Sequence, residues 1–208
     1  MRMAVFFFGG YHASWDDILK WAVSAKLQQP NVDFTGYVWP AGVVSYPAPS
    51  VVKGSEKLIK SAVAEIDTSN ADLIIIVGHS SGCAIANAVD KRLQNARSRA
   101  LVGLVALDGF SPDADQLKRS TTQVWGAMCD GQPSKNFPGL AGGRRHIYQV
   151  PVKNCKELWP LHFVLVNAAA RDKQVTGTGN GYDSCVANLI WLPKLVWLSK
   201  GAYQISFP

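Results

Sequence analysis

The stretch DLIIIVGHSSGCAIANAV, residues 72–89, decides how this sequence folds. The apolar run that follows Asp72 is typical of a strand buried on both faces, and we predict a strand over Asp72–Val77. Small and apolar residues at helical spacing then predict a helix over Ser81–Asn95. Between the two elements, Ser80 lies in a short turn that contains glycine on either side.

The turn has the pattern G-x-S-x-G, from Gly78 to Gly82. A strand-to-helix turn this tight holds its serine in a strained backbone conformation and exposes Oγ above the sheet. The helix that begins at Ser81 directs its first amides and its dipole toward the same point, which suits a developing negative charge on oxygen. We therefore predict Ser80 as a nucleophile and the Ser81 amide as one oxyanion donor.

Short apolar strands alternate with helical segments along the rest of the chain. The other predicted strands are Met3–Phe8, Phe34–Trp39, Leu101–Leu107, Gln123–Met128 and His146–Val152. The other predicted helices run from Ser14 to about Gln29, over Glu56–Ile66, from a cap at Ser111-Pro112, and over Phe163–Ala170, with a loop from Pro40 to Ser55. This alternation predicts an α/β fold of about six mainly parallel strands with helices on both faces, in a single domain over residues 1–208.

A serine needs a base to become a good nucleophile, and the chain has four histidines. His79 adjoins Ser80 and points elsewhere from the turn, while His146 opens a strand at the opposite edge of the sheet. His162 follows the last predicted strand, which places it at the same edge as Ser80. We predict His162 as the base, with His12 in the loop after the first strand as the alternative.

The base in turn needs a carboxylate to orient it. Asp108 ends the strand that follows the nucleophile, and we favour it over Asp130, which ends the next candidate strand. The second oxyanion donor is expected in the loop after the first strand, from the amide of Gly10 or Tyr11. The order Ser, Asp, His along the chain is the order of hydrolases with a nucleophile turn of this kind.

Three stretches resemble the α/β-hydrolase superfamily, and within it the thioesterase domains of polyketide and peptide synthases. These are GHSSGCAIANAV at 78–89, GLVALDGFSPD at 103–113 and LHFVLVN at 161–167. The resemblance implies an α/β-hydrolase fold with Ser80 as nucleophile, Asp108 as orienting acid and His162 as base. The chain departs from the family in being short, and it leaves little room for a large lid between residues 109 and 121.

Three hypotheses for the function follow. The first is a serine hydrolase that cleaves a small carboxylic ester or thioester, the second an acyltransferase on the same residues, and the third a binding protein without catalysis. The first two need no cofactor and no metal. The expected partner is a small-molecule acyl ester or thioester, with an acyl-carrier protein as a second candidate. Candidates for the lining of the pocket are Tyr11, Tyr46, Trp125 and Phe137.

Net charge, apolar run length and cysteine content limit the partners and the cellular location that we expect. The net charge is +6, but the basic residues are scattered, which argues against a nucleic-acid partner. No apolar run reaches the length of a membrane span, so we expect a cytoplasmic protein. Cys83 falls in a predicted helix and is expected to pack as a small apolar residue. The other three cysteines, Cys129, Cys155 and Cys185, can form one disulfide, but the sequence alone does not say which two are paired.

Overall fold

The computed structural model describes residues 2–19, 22, 32–95, 101–119, 121–129, 132–133 and 147–152. Its strands are β1 (Met3–Phe8), β2 (Val32–Tyr37), β3 (Leu73–His79), β4 (Leu101–Leu107), β5 (Thr122–Cys129), β6 (Gln132–Pro133) and β7 (Ile147–Val152). Its helices are α1 (residues 15–19), α2 (Ala48–Gly54), α3 (Glu56–Asp67), α4 (Gly82–Asn95) and α5 (Ala114–Lys118).

The strands form one sheet in which β2, β1, β3, β4 and β5 lie side by side and run parallel. Strand β7 also runs parallel to β5, whereas the two-residue β6 pairs with β5 antiparallel. The prediction of an α/β fold with about six mainly parallel strands is therefore confirmed. Because the strands are parallel, the carboxyl ends of β1, β3 and β4 meet at one edge of the sheet.

The central strands are buried on both faces, as their unbroken apolar sequences predict. All residues of β1 and β3 are buried. On one face, Phe6, Phe8, Ile74 and Ile76 join side chains of α2, α3 and α4 in a single cluster. Each such side chain contributes about 1.5–3 kcal/mol through burial, so this cluster fixes the helices on the sheet. No helix in the described part of the chain is both long and apolar enough to span a bilayer.

Two predictions for the segments between strands were wrong. The segment predicted as a loop up to Ser55 contains α2, because Pro49 occupies the first helical turn, where proline is tolerated, and Val51 is fully buried. Helix α5 begins at Ala114 rather than at Ser111-Pro112. Its N-cap is Asp113, whose side chain accepts from the amides of Asp115 and Gln116.

Strand β2 ends two residues before the predicted end. Its six residues pair with the six residues of β1, from Val32 beside Met3 to Tyr37 beside Phe8. The predicted start of α1 is confirmed. The Ser14 hydroxyl accepts from the amide of Asp17 at 3.3 Å, and the Asp17 carboxylate accepts from the amide of Ser14 at 3.0 Å. The predicted helix Phe163–Ala170 lies outside the described residues.

Candidate active site

Ser80 lies at the turn between β3 and α4, at the carboxyl edge of the sheet. Its φ is 55°, in the left-handed region that residues with a side chain rarely adopt. Its amide donates to the carbonyl of Leu107 at 2.9 Å, and its carbonyl accepts from the amide of Cys83 at 3.1 Å. These two bonds fix the turn between the neighbouring strand β4 and the first turn of α4.

The two glycines of the motif make this turn physically feasible. A Cβ on Gly78 would lie 2.6 Å from the Cα of Cys83, and a Cβ on Gly82 would lie 2.5 Å from the carbonyl oxygen of Gly9. Real Cβ atoms do not approach backbone so closely. The motif therefore lets α4 begin directly against the end of β1, and this brings the loop after β1 to Ser80.

Gly10, in that loop, lies against the serine itself. A Cβ on Gly10 would be 2.7 Å from the Cβ of Ser80 and 3.3 Å from its Oγ. Within the described residues, the amides of Gly10, Tyr11 and Ser81 donate to no backbone oxygen, whereas the amide of Gly9 donates to Tyr37 at 3.0 Å. The three amides that the sequence suggests as oxyanion donors are therefore not committed to backbone hydrogen bonds within the described residues.

Asp108 follows β4 and lies beside the serine turn. It is fully buried, and its φ of 43° is also in the left-handed region. The next residue, Gly109, is so close to Ser80 that a Cβ there would lie 2.7 Å from its carbonyl carbon. The structure thus brings the backbone of Asp108 next to that of Ser80, while its role as the orienting acid stays a prediction.

Backbone strain in the described chain is concentrated at this edge. The residues other than glycine that have positive φ there are His12, Ser80 and Asp108, which follow β1, β3 and β4. Each such conformation costs about 1–3 kcal/mol and persists where the surrounding structure imposes it, most often at functional sites. The strain at Ser80 was expected from the motif, but nothing in the sequence marked Asp108 or His12 in this way.

The base of the predicted triad is not placed by the structure. His162 lies outside the described residues, as do Asp130, His146 and Phe137. The alternative base, His12, is exposed in the same loop as Gly10, with its ring centroid 3.8 Å from that of Tyr11. His79 is buried as the last residue of β3.

A buried polar network that the sequence analysis missed connects α4 to the chain after Asp108. The carboxylate of Asp90, fully buried, accepts from Gln116 Nε2 at 2.6 Å and from Arg119 Nη2 at 2.5 Å. Asn87 Nδ2 donates to the carbonyl of Phe110 at 3.2 Å. The signal available in the sequence was an acidic residue directly after Val89, on the apolar face of a predicted helix.

Cys83 packs in the core, as predicted. Its thiol donates to the carbonyl of Gly78 at 3.1 Å and contacts that of Leu107 at 3.6 Å, so it links the ends of β3 and β4. Burial raises the pKa of the Cys83 thiol far above its ordinary value, which removes it as a nucleophile at neutral pH. Ser80 stays the predicted nucleophile of this turn.

No protein-family model and no curated protein sequence matches the chain. Among solved structures, it is similar to RedJ, a thioesterase from the prodiginine biosynthetic pathway of Streptomyces coelicolor. The TM-score is 0.50 at 14% identity, over 91% of this chain and 89% of RedJ. RedJ with a PEG molecule in its active site matches with a TM-score of 0.53 at 13% identity, over 92% and 89%.

A protein described as a cell surface hydrolase of Lactobacillus plantarum is also similar, with a TM-score of 0.51 at 13% identity, over 83% of this chain and 92% of that chain. Identities this low bear on the fold and not on the substrate. Together with the parallel sheet and the tight turn at Ser80, they show that the chain has the α/β-hydrolase fold.

Proposed function

We propose that this protein is a serine hydrolase that cleaves a carboxylic ester or thioester through an acyl-enzyme on Ser80. The observation that carries the proposal is the arrangement of the turn. A strained serine lies at the carboxyl edge of a parallel sheet, and the backbone of Gly10 comes so close that a Cβ there would lie 3.3 Å from Ser80 Oγ. An oxyanion hole requires uncommitted backbone amides near the serine, and within the described residues the amides of Gly10, Tyr11 and Ser81 donate to no backbone oxygen.

In the proposed reaction, Ser80 Oγ attacks the carbonyl carbon and its proton passes to an imidazole. His162 is the proposed base, with His12 as the alternative, and Asp108 holds the imidazole in the reactive orientation. The backbone amides bind the oxyanion, and each contributes about 3 kcal/mol to the transition state. The imidazolium then protonates the departing alcohol or thiol, and water, activated by the same base, releases the acid.

Two observations support acyl chemistry at Ser80 over a binding protein without catalysis. A binding protein has no need to hold Ser80 and Asp108 in strained conformations, whereas catalytic sites commonly do. A thioesterase is among the proteins that share the fold over most of the chain, which favours an acyl substrate. An acyltransferase would use the same residues, and analysis of products formed with added alcohol or amine acceptors separates it from a hydrolase.

Replacement of the nucleophile tests the proposal. Ser80→Ala should lower kcat on vinyl and thioethyl esters by at least about 10³-fold, because the covalent step is lost. It should also abolish labelling by a fluorophosphonate, detected as an intact-mass adduct. Ser61→Ala, on the exposed side of α3, is the matched control and should behave as wild type. The proposal fails if the Ser80→Ala protein is folded and retains most of its activity.

The base is tested in the same assay. His162→Ala and His12→Ala are compared at equal folded fraction, as measured by circular dichroism. The variant that lowers kcat by the larger factor identifies the base. If neither histidine matters while Ser80 does, the proton is taken by another group, and the triad is wrong although the nucleophile is right.

A further inference from the structure

We propose that Tyr46 and Phe110 form a binding wall for a planar aromatic group of the substrate. The inference rests on the proposed function and adds the substrate class to it. Its basis is a contact between two rings that the sequence places far apart, at the edge of the sheet that carries Ser80.

Phe110 lies next to the proposed nucleophile. It follows Gly109, whose backbone touches the carbonyl of Ser80. The Phe110 ring is partly buried and packs against the core cluster beside α4 and against a second buried group, Cys83, Ala106 and Val124. The Phe110 carbonyl accepts from Asn87 Nδ2 at 3.2 Å. The core therefore holds the Phe110 ring in place.

Tyr46 comes to Phe110 from a distant part of the carboxyl edge of the sheet. It belongs to the segment after β2, whereas Phe110 follows β4, and β1 and β3 lie between these two strands. Three strand spacings amount to about 14 Å. The segment that carries Tyr46 must therefore cross the width of β1 and β3 at the edge that holds Gly10 and Ser80. The amide of Trp39, early in this segment, donates to the carbonyl of Ala13 and ties it to the Gly10 loop.

The two rings are stacked, with centroids 6.1 Å apart and planes 21° from parallel. This is the offset arrangement that aromatic pairs prefer. Phe110 is anchored in the core on one side of the pair, and Tyr46 is 74% exposed on the other. The exposed Tyr46 ring is stacked on Phe110, whose chain neighbour Gly109 lies against the Ser80 turn. It offers a planar face, which a flat aromatic group covers more fully than a puckered saturated ring does.

The aromatic group can belong to the acyl part of the substrate or to its leaving alcohol, and two pairs of esters distinguish these sources. Vinyl benzoate and vinyl cyclohexanecarboxylate share a leaving group and differ in the acyl ring. Phenyl acetate and cyclohexyl acetate share an acyl group and differ in the leaving ring. Within each pair the aromatic-to-saturated ratio of kcat/KM is compared between variant and wild type, so that the intrinsic reactivity of each ester cancels.

Tyr46→Ala should lower this ratio by roughly 2- to 13-fold in one of the two pairs, as expected for loss of one aromatic contact. Tyr46→Phe, which keeps the ring, should leave the ratio unchanged. Val44→Ala removes an exposed apolar side chain from the same segment and is the matched control. The proposal is overturned if Tyr46→Ala leaves the ratio unchanged in both pairs. It is also overturned if Tyr46→Phe or Val44→Ala lowers the ratio as much as Tyr46→Ala does.

A binding measurement separates this result from the outcome for the proposed function. In Ser80→Ala protein, dissociation constants for benzoate and phenol are compared with those for cyclohexanecarboxylate and cyclohexanol, with and without Tyr46→Ala. Preference for the aromatic member that depends on Tyr46 supports the wall even if Ser80 proves not to be the nucleophile. Absence of that preference, in a protein whose ester hydrolysis depends on Ser80, rejects the wall alone.

Discussion

Gly10 illustrates how one missing side chain determines what can happen at Ser80. The loop after β1 approaches the serine so closely that no side chain fits between them, and within the described residues the Gly10 amide donates to no backbone oxygen. The left-handed conformation of Ser80 places strain at the same point. At the scale of single residues, the site is built by close backbone approach more than by polar side chains.

Gly10→Ala should lower kcat by about 10²–10³-fold, the loss typical of one displaced oxyanion donor. The new Cβ would lie 2.7 Å from the Cβ of Ser80, so the loop has to move away from the serine. The control is Gly54→Ala, where the Cβ would meet only the side chain of Val43 at 3.0 Å. Steady-state kinetics of both variants decide the matter, and full activity in Gly10→Ala would refute an oxyanion role for this loop.

At the scale of elements, α4 connects the proposed nucleophile to the segment that carries the proposed acid. The helix begins at Gly82, two residues after Ser80. On it, Asn87, Asp90 and Lys91 bind residues between Phe110 and Arg119. On its other side, Arg92 pairs with Glu56 at the start of α3, with Nη2 2.6 Å from Oε2. The two sides differ in burial, because Asp90 is fully buried while Glu56 and Arg92 are partly exposed.

Asp90→Ala should destabilise the protein by about 3–5 kcal/mol, because it leaves the Arg119 guanidinium without its buried partner. Arg119 Nη2 would keep only its bond to Thr122 Oγ1 at 3.2 Å, and within the described residues Arg119 Nε and Nη1 have no hydrogen-bond partner. Glu56→Gln weakens the partly exposed pair between Glu56 on α3 and Arg92 on α4. It should change stability far less, because solvent screens that pair. The free energies of unfolding in urea give the comparison, and equal losses in the two variants would show that the buried network has no special weight.

For the whole molecule, acid stability depends on carboxylates that join helices. The Arg92 guanidinium lowers the pKa of the Glu56 carboxyl, and the amide of Gln116 together with Lys91 lowers that of Asp113. A carboxyl whose pKa is lower in the folded protein than in the unfolded chain binds fewer protons when folded. Its contribution is complete above the unfolded pKa, near 4, and is lost as pH falls through the lower folded value.

The melting temperature should therefore fall as pH drops from about 5 toward 3. The double variant Glu56→Gln with Asp113→Asn should show a shallower fall, because its side chains no longer take up protons there; asparagine also caps a helix well. Thermal unfolding at a series of pH values measures both slopes. Identical slopes for the variant and the wild type would mean that other carboxyls control acid stability.

The sequence by itself determined the elements whose signals are local. Strands β1 and β4 have the predicted bounds, because a short unbroken apolar run next to turn residues is typical of a central strand in a sheet covered on both faces. The turn at Ser80 could also be predicted from its neighbours. Glycines at Gly78 and Gly82, between an apolar strand and a helix, are typical of a tight strand-to-helix turn. The α/β-hydrolase fold could be predicted from these features together.

Only the tertiary structure decided which distant residues meet. Prolines suggested a loop where α2 forms, because the burial of Val51, which favours a helix, depends on packing against the sheet. The ion pair of Asp90 with Arg119, the strain at Asp108 and the stacking of Tyr46 on Phe110 arise between segments that are brought together by the strand order. Such contacts depend on the relative positions of whole strands, and no local pattern of residues encodes those positions. His162 lies outside the described residues, and its role as the base is therefore still a prediction.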